Sequence, residues 1–170
     1  VLNPDPRKLI VDRLSLNKTQ REKNFNEISE KFTKILNDSG IKSQIIGREK
    51  TPFSIWRKMQ TKRISLEQLT DIVGFRIIVD DMKLCYKTLG ILHTKWSMIP
   101  GKFKDYISTP KINNYKSLHT SIIGPKRERV EIQIRTQQMH DFAERGIASH
   151  WIYKSSEKDR FTSLKEYDWL

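Results

Sequence analysis

Cysteine is almost absent. Cys85 is the only one in 170 residues, which excludes an intramolecular disulfide and a thiolate metal cluster and leaves Cys85 to pack as a small hydrophobe. Long apolar runs and a signal-like leader are missing too, so a soluble cytoplasmic protein with no membrane partner is expected. Internal repeats and low-complexity tracts are also lacking, and the length suits one domain with a real core. Acidic residues are scarce relative to basic ones, 20 against 32. The resulting +12 attracts polyanions such as nucleotides or RNA without choosing between them. Because the chain opens on Val1 and not on methionine, a fragment of a longer protein is expected.

What is present centres on Tyr115 to Arg135. Two strand-like runs, Tyr115 to Ile123 and Val130 to Arg135, flank the turn-rich segment 124–129 and predict an antiparallel hairpin. Alternation along the strands sends Leu118, Thr120, Ile122, Val130, Ile132 and Ile134 to one face. The other receives Tyr115, Ser117, His119, Ser121, Glu131, Gln133 and Arg135. Such alternation most often belongs to a solvated sheet face. A solvated face, however, usually carries interchangeable Lys, Glu and Thr, whereas these residue types stack, ligate and accept protons, which points to a site.

Upstream, Pro4 and Pro6 delay any helix, and Leu9, Ile10 and Leu14 hint at a short one. From about Thr19 to Asn37 the residues Phe25, Ile28, Phe32, Ile35 and Leu36 share a helical face that Gly40 ends. Ile41 to Ile46 suits a short strand. Pro52 suits the first turn of a helix reaching Lys62, with Phe53, Ile55, Trp56 and Met59 toward the core. Lys50, Ser54 and Lys58 recur every four residues and would suit a phosphate chain near a helix N-terminus. On spacing alone an exposed Lys-rich helix face, which is very common, is the better explanation. Ser65 to Thr70 reads as a capped helical turn.

The run from Asp71 to Val79 is dense in β-branched residues, which predicts a central strand covered on both faces. Asp71 and Arg76 are then either an internal ion pair or groups in use, Asp71 as a magnesium ligand. Leu84 to Trp96 is a helix whose His93 reads as a satisfied core or rim residue. Residues 100–114 form a long loop, and long loops beside sheets often carry function. Thr136 opens a last helix with Met139, Phe142, Ala143 and Ile147; the adjacent His140 and Asp141 are a weak metal signal.

Laid end to end, these pieces closely resemble the synthetase domain of the RelA/SpoT family over roughly residues 4–154. The resemblance rests on Gly47-Arg48-x-Lys50 with Ser54-Ile55 and Lys58-Met59, Asp71-Ile72-x-Gly74-x-Arg76, and Pro100-Gly101-x-Phe103-Lys104-Asp105-Tyr106-Ile107. Two further blocks complete it, Asn113-x-Tyr115-x-Ser117-Leu118-His119-Thr120 and Val130-Glu131-Ile132-Gln133-Ile134-Arg135-Thr136. Blocks in the right order are specific where each alone is weak. The resemblance implies an α+β fold, a nucleotidyltransferase-like mixed, largely antiparallel sheet flanked by helices. Residues 1–154 would be the synthetase domain, with 17–39 as N-terminal helix, and 155–170 a polar tail.

The resemblance also implies transfer of pyrophosphate from ATP to the 3′-hydroxyl of GDP or GTP. Arg48 and Arg76 would sandwich the adenine, and Lys50, Ser54 and Lys58 would hold the ATP phosphates. Asp71 and Glu131 would bind magnesium, Glu131 also serving as base, supported by Gln133 and Arg135. Tyr115 would stack on the guanine, with Lys104 and His119 at the acceptor's phosphate or the transferring group. Alarmone hydrolysis and contact with RNA or the ribosome are not expected from this domain alone, and self-association into a homo-oligomer is left open. The chain departs from the family pattern at Glu49, Lys102, Asn114 and Lys116; Asn114 is among the best substitutes for glycine at positive φ. Two rival readings are a non-catalytic RNA or nucleotide binder, resting on charge and exposed aromatics such as Tyr106 and Tyr115, and a decayed synthetase fragment.

Overall fold

The computed structural model describes residues 4–16, 18–48, 51–70 and 72–145. In chain order these form α1 (Pro4–Leu16), α2 (Lys18–Asp38), β1 (Gln44–Gly47), α3 (Pro52–Lys62), α4 (Leu66–Thr70), β2 (Val73–Val79), α5 (Met82–Lys95), β3 (Lys104–Asp105), β4 (Leu118–Ile123) and β5 (Arg129–Thr136). A final helix, α6, follows over 137–145. The strands make one sheet in the order β1-β2-β5-β4-β3. Only β2 and β5 pair in parallel; the other pairs are antiparallel. The expected hairpin is β4 and β5, and its central member is β5.

The sheet's apolar face carries Phe75, Ile77, Val79, Leu118, Ile122, Val130, Ile132 and Ile134, packed against Ile28, Phe32 and Leu36 of α2 and Cys85 and Leu92 of α5. Phe25 stacks on Phe75 at 4.7 Å and Phe32 meets it edge-on at 5.4 Å. Burying this face contributes most of the hydrophobic stabilisation and presents the opposite face to the site. A smaller cluster joins α1, α3 and α4 through Ile10, Ile55 and Leu69.

Caps explain where helices begin. The Thr51 hydroxyl accepts from the Ser54 amide, with Pro52 in the first turn of α3. Ser65 and Gln68 form a reciprocal capping box before α4, and Thr136 caps α6 by accepting from the Met139 amide. The α2 helix ends at Gly40, whose φ is +73°.

Three expectations need correction. Pro4 and Pro6 do not delay the helix that Leu9, Ile10 and Leu14 hint at: α1 begins at Pro4, because proline is tolerated in a first turn where no amide bond is lost. Phe53 is exposed on α3 and not turned to the core. Tyr115 is buried, not exposed. Strand β2 lies inside the sheet with five of its seven residues buried, as expected, and the partly exposed Arg76 stands beside Gln133 on its polar face. Among the described residues no helix is long and apolar enough to cross a membrane.

Candidate active site

Register assembles the polar face. One row across the sheet runs Arg76, Gln133, His119, Lys104, from β2 through β5 and β4 to β3. The neighbouring row holds Gly74, Glu131 and Ser121, and Arg48 extends it because its amide donates to the Gly74 carbonyl at 2.9 Å. Side chains facing one another across rows share a face, so residues from both halves of the chain converge. A Cβ on Gly74 would lie 3.2 Å from the Arg48 Cβ; the missing side chain leaves Arg48 its place.

The face is polar yet largely dry. Ser117 is 0% exposed, Arg135 1%, Tyr115 2%, Ser121 5% and Gln133 7%. A sheet face carrying such groups out of water must satisfy them internally or hold a ligand. Arg135 Nη2 donates to the Tyr115 hydroxyl at 3.4 Å and to Gln133 Oε1. Its Nε has no partner, and among the described residues no carboxylate oxygen lies within ion-pairing distance of it. Gln133 Oε1 also accepts from Arg76 Nε at 3.3 Å.

Carboxylates sit beside two arginines. Arg48 Nη1 is 3.7 Å from Glu131 Oε2, and Arg76 Nη1 is 3.2 Å from Glu144 Oε1 on α6. From α3, Lys58 lies in the same field: burial lowers its pKa, Glu131 opposes that, and Arg48, Lys62 and Arg129 reinforce it. Burial and the nearby Arg135, Arg48 and Lys111 push His119 down to about 3, so its ring is neutral. Burial also lowers Lys111 to about 8, and its ammonium lies 4.4 Å from the centre of the Tyr106 ring.

Tyr115 is enclosed by rings and cations. Tyr106 meets it edge-on at 6.3 Å, His119 at 5.6 Å, and the Arg135 guanidinium lies 5.5 Å from its centroid. The turn before it needs positive φ, and Asn114 supplies +63°, while the Asn113 side chain accepts from the Tyr115 amide. Asp105 holds the neighbouring loop by accepting from the Ile107 and Ser108 amides and from the Tyr86 hydroxyl.

The structure thus brings Arg48, Arg76, Tyr115, His119, Glu131, Gln133 and Arg135 onto one face, with Lys104 on its exposed edge and Lys58 from α3. Ser54 is exposed and serves the α3 cap, where its hydroxyl accepts from Thr51 at 2.7 Å. Lys50 and Asp71 lie outside the described residues, as do Glu49 and the tail 155–170. His93 is a rim histidine, 2.7 Å from the Thr120 hydroxyl. Sequence reasoning missed Glu144, Arg129, Lys111 and the enclosing role of Tyr106. The helical run after Thr136 carried no local hint that Glu144 turns back toward β2.

Among the described residues no cluster of three or more His, Cys, Asp or Glu side chains could hold a metal. Glu131 supplies one carboxylate on the face, which fits an ion bound mostly by water and substrate phosphate.

Comparison with known proteins points the same way. Residues 47–158 match the model of the region found in RelA / SpoT proteins. The GTP pyrophosphokinase rsh of Brucella ovis is 46% identical over 99% of this chain and 23% of its own length. A guanosine-3′,5′-bis(diphosphate) 3′-pyrophosphohydrolase of Aquifex aeolicus is also 46% identical, over 89% of this chain and 22% of its own. The chain therefore spans about a quarter of the curated relatives it matches. Small alarmone synthetase 2 from Bacillus subtilis superposes with a TM-score of 0.62 at 30% identity, covering 86% of this chain and 83% of that one. With the family model, the curated relatives and the superposed structure in agreement, this chain belongs to the RelA/SpoT family.

Proposed function

We propose that the chain transfers the β,γ-pyrophosphate of ATP to the 3′-hydroxyl of GDP or GTP, making an alarmone and releasing AMP. The observation carrying this reading is the surplus of guanidinium on a dry face. Arg48, Arg76 and the buried Arg135 converge with Glu131 and Glu144 as the neighbouring carboxylates, so anionic ligands would be strongly favoured there. The synthetase names of relatives that cover the chain support the choice of reaction.

In this reading Arg48 and Arg76 hold the adenine and Lys58, with Lys50 and Ser54, the ATP phosphates. Glu131 takes the proton of the acceptor's 3′-hydroxyl; the oxygen attacks the β-phosphorus, the bond to the α-phosphate oxygen breaks, and AMP leaves. Magnesium, held by Glu131 and Asp71, would neutralise phosphate charge. Gln133 and Arg135 keep the face polarised beside Glu131. Neutral His119 can offer a phosphate only an uncharged hydrogen bond, so electrostatic stabilisation falls to Lys104 and the arginines. Guanine stacking on Tyr115 requires the side chains that now cover its ring to move aside. Residues 1–154 form the synthetase domain and 155–170 a polar tail in this proposal, and the protein works in the cytoplasm.

The test is incubation with magnesium, labelled ATP and GDP or GTP, followed by nucleotide separation. AMP appearing together with a labelled guanosine product is expected; nucleotide binding without turnover would favour the decayed or binding-only readings. The RNA-binding reading loses its exposed aromatics, because Tyr115 is buried and Tyr106 only partly exposed.

A further inference from the structure

Resting on that reading, we propose that Glu144 is a positioning residue for ATP: it fixes the plane of the Arg76 guanidinium so that the flat face stays open to a base. Arg76 holds two partners from different elements, one on each side of its guanidinium. Its Nε donates to Gln133 Oε1 at 3.3 Å, and its Nη1 lies 3.2 Å from Glu144 Oε1. Gln133 is anchored in turn, since it is 7% exposed and accepts from the buried Arg135. Two anchors on opposite edges stop rotation about the terminal bonds of a long side chain, which one anchor would not. A guanidinium held by its edges presents its faces, the geometry used in stacking on rings.

Electrostatics make the second anchor necessary. Arg76 and Arg48 both lower the pKa of Arg135, a sign of mutual repulsion among the three, while Glu144 raises it. Glu131 is engaged with Arg48. Glu144 is thus the carboxylate that counters repulsion at the Arg76 end, and it reaches the sheet from α6, the element that follows β5. Because the Glu144 side chain is 55% exposed, its pair with Arg76 adds little stability, and its removal should leave the fold intact.

The experiment compares Glu144→Ala, Glu144→Gln and Arg76→Ala in the same protein, by calorimetric binding of a non-hydrolysable ATP analogue and of GDP, by steady-state kinetics and by thermal unfolding. Glu144→Ala should weaken ATP-analogue binding about three- to tenfold, as expected for losing one partly exposed charged contact, and raise the KM for ATP in step. GDP binding, kcat and Tm should stay nearly constant. Glu144→Gln, which keeps an acceptor oxygen, should recover part of the loss. If Arg76→Ala weakens ATP-analogue binding but Glu144→Ala does not, the role of Glu144 is overturned. If neither does, the adenine-binding assignment itself fails. Parallel losses of Tm and of both nucleotides would show Glu144 to be merely structural and would also overturn the proposal.

Discussion

The phenolic oxygen of Tyr115 lies 2.7 Å from Nε2 of His119, four residues further along the chain. Arg135 approaches that same oxygen at 3.4 Å and can only donate. The hydroxyl therefore accepts from Arg135 and links it to the His119 ring. Burial, with Arg135, Arg48 and Lys111 nearby, holds that ring neutral.

Tyr115→Phe keeps the ring and removes the link. It leaves Arg135 and His119 short of a partner in a buried setting, and the expected loss is about 1–3 kcal/mol. Urea unfolding at pH 7 reads this directly, and an unchanged midpoint would contradict the link from Arg135 to His119.

The His119 shift has a signed consequence. With a folded value near 3 against an ordinary 6.5, the unfolded chain binds the extra proton throughout that interval. Stability is therefore fully present above about pH 6.5 and declines as pH falls toward 3. At pH 5 the protein should be about 1–2 kcal/mol less stable than at pH 7 on account of this group. Unfolding at the two pH values compared with His119→Asn isolates it, and an NMR titration placing the folded ring's midpoint near 6.5 would refute it.

Glu131→Gln should suppress AMP release at least about a hundredfold, the usual scale for losing a general base. The stability cost should stay below about 1 kcal/mol, since the partner Arg48 is 3.7 Å away and both side chains are about a quarter exposed. Turnover within a few-fold of the parent protein would remove Glu131 from the role of base.

Gly74→Ala tests the seat of Arg48. The backbone there has no left-handed conformation, but the new Cβ meets the Arg48 Cβ at 3.2 Å, so Arg48 must shift by a few tenths of an ångström. ATP affinity should fall about three- to tenfold, scaled from the cost of larger misplacements, with Tm nearly unchanged. Equal ATP binding by the two proteins would show that Arg48 has room to spare.

Much of the architecture was legible in periodicity. Phe25, Ile28, Phe32 and Leu36 marked α2, and alternation in β4 and β5 sorted apolar from polar side chains correctly because a strand's period admits no other sorting. The prolines hid where α1 begins, since a breaker inside a helix and a starter at its first turn are the same residue. The burial of the polar face was not legible: whether Ser117, Gln133 and Arg135 meet water depends on loops and helices remote in sequence. Glu144 and Lys111 were missed for the same reason.

What the sequence alone determined is local or cumulative. It includes the two-faced hairpin, the left-handed turn that Asn114 tolerates, the capped helix starts, and motifs in an order that marks the RelA/SpoT family. Tertiary structure decided the rest. The parallel pairing of β2 with β5 sets Arg76 beside Gln133 across 57 residues, enclosure by Arg135 and Lys111 makes His119 neutral, and α6 brings Glu144 to Arg76. A side chain's charge state and partners depend on desolvation and on register between distant segments, and a local pattern of residues carries neither.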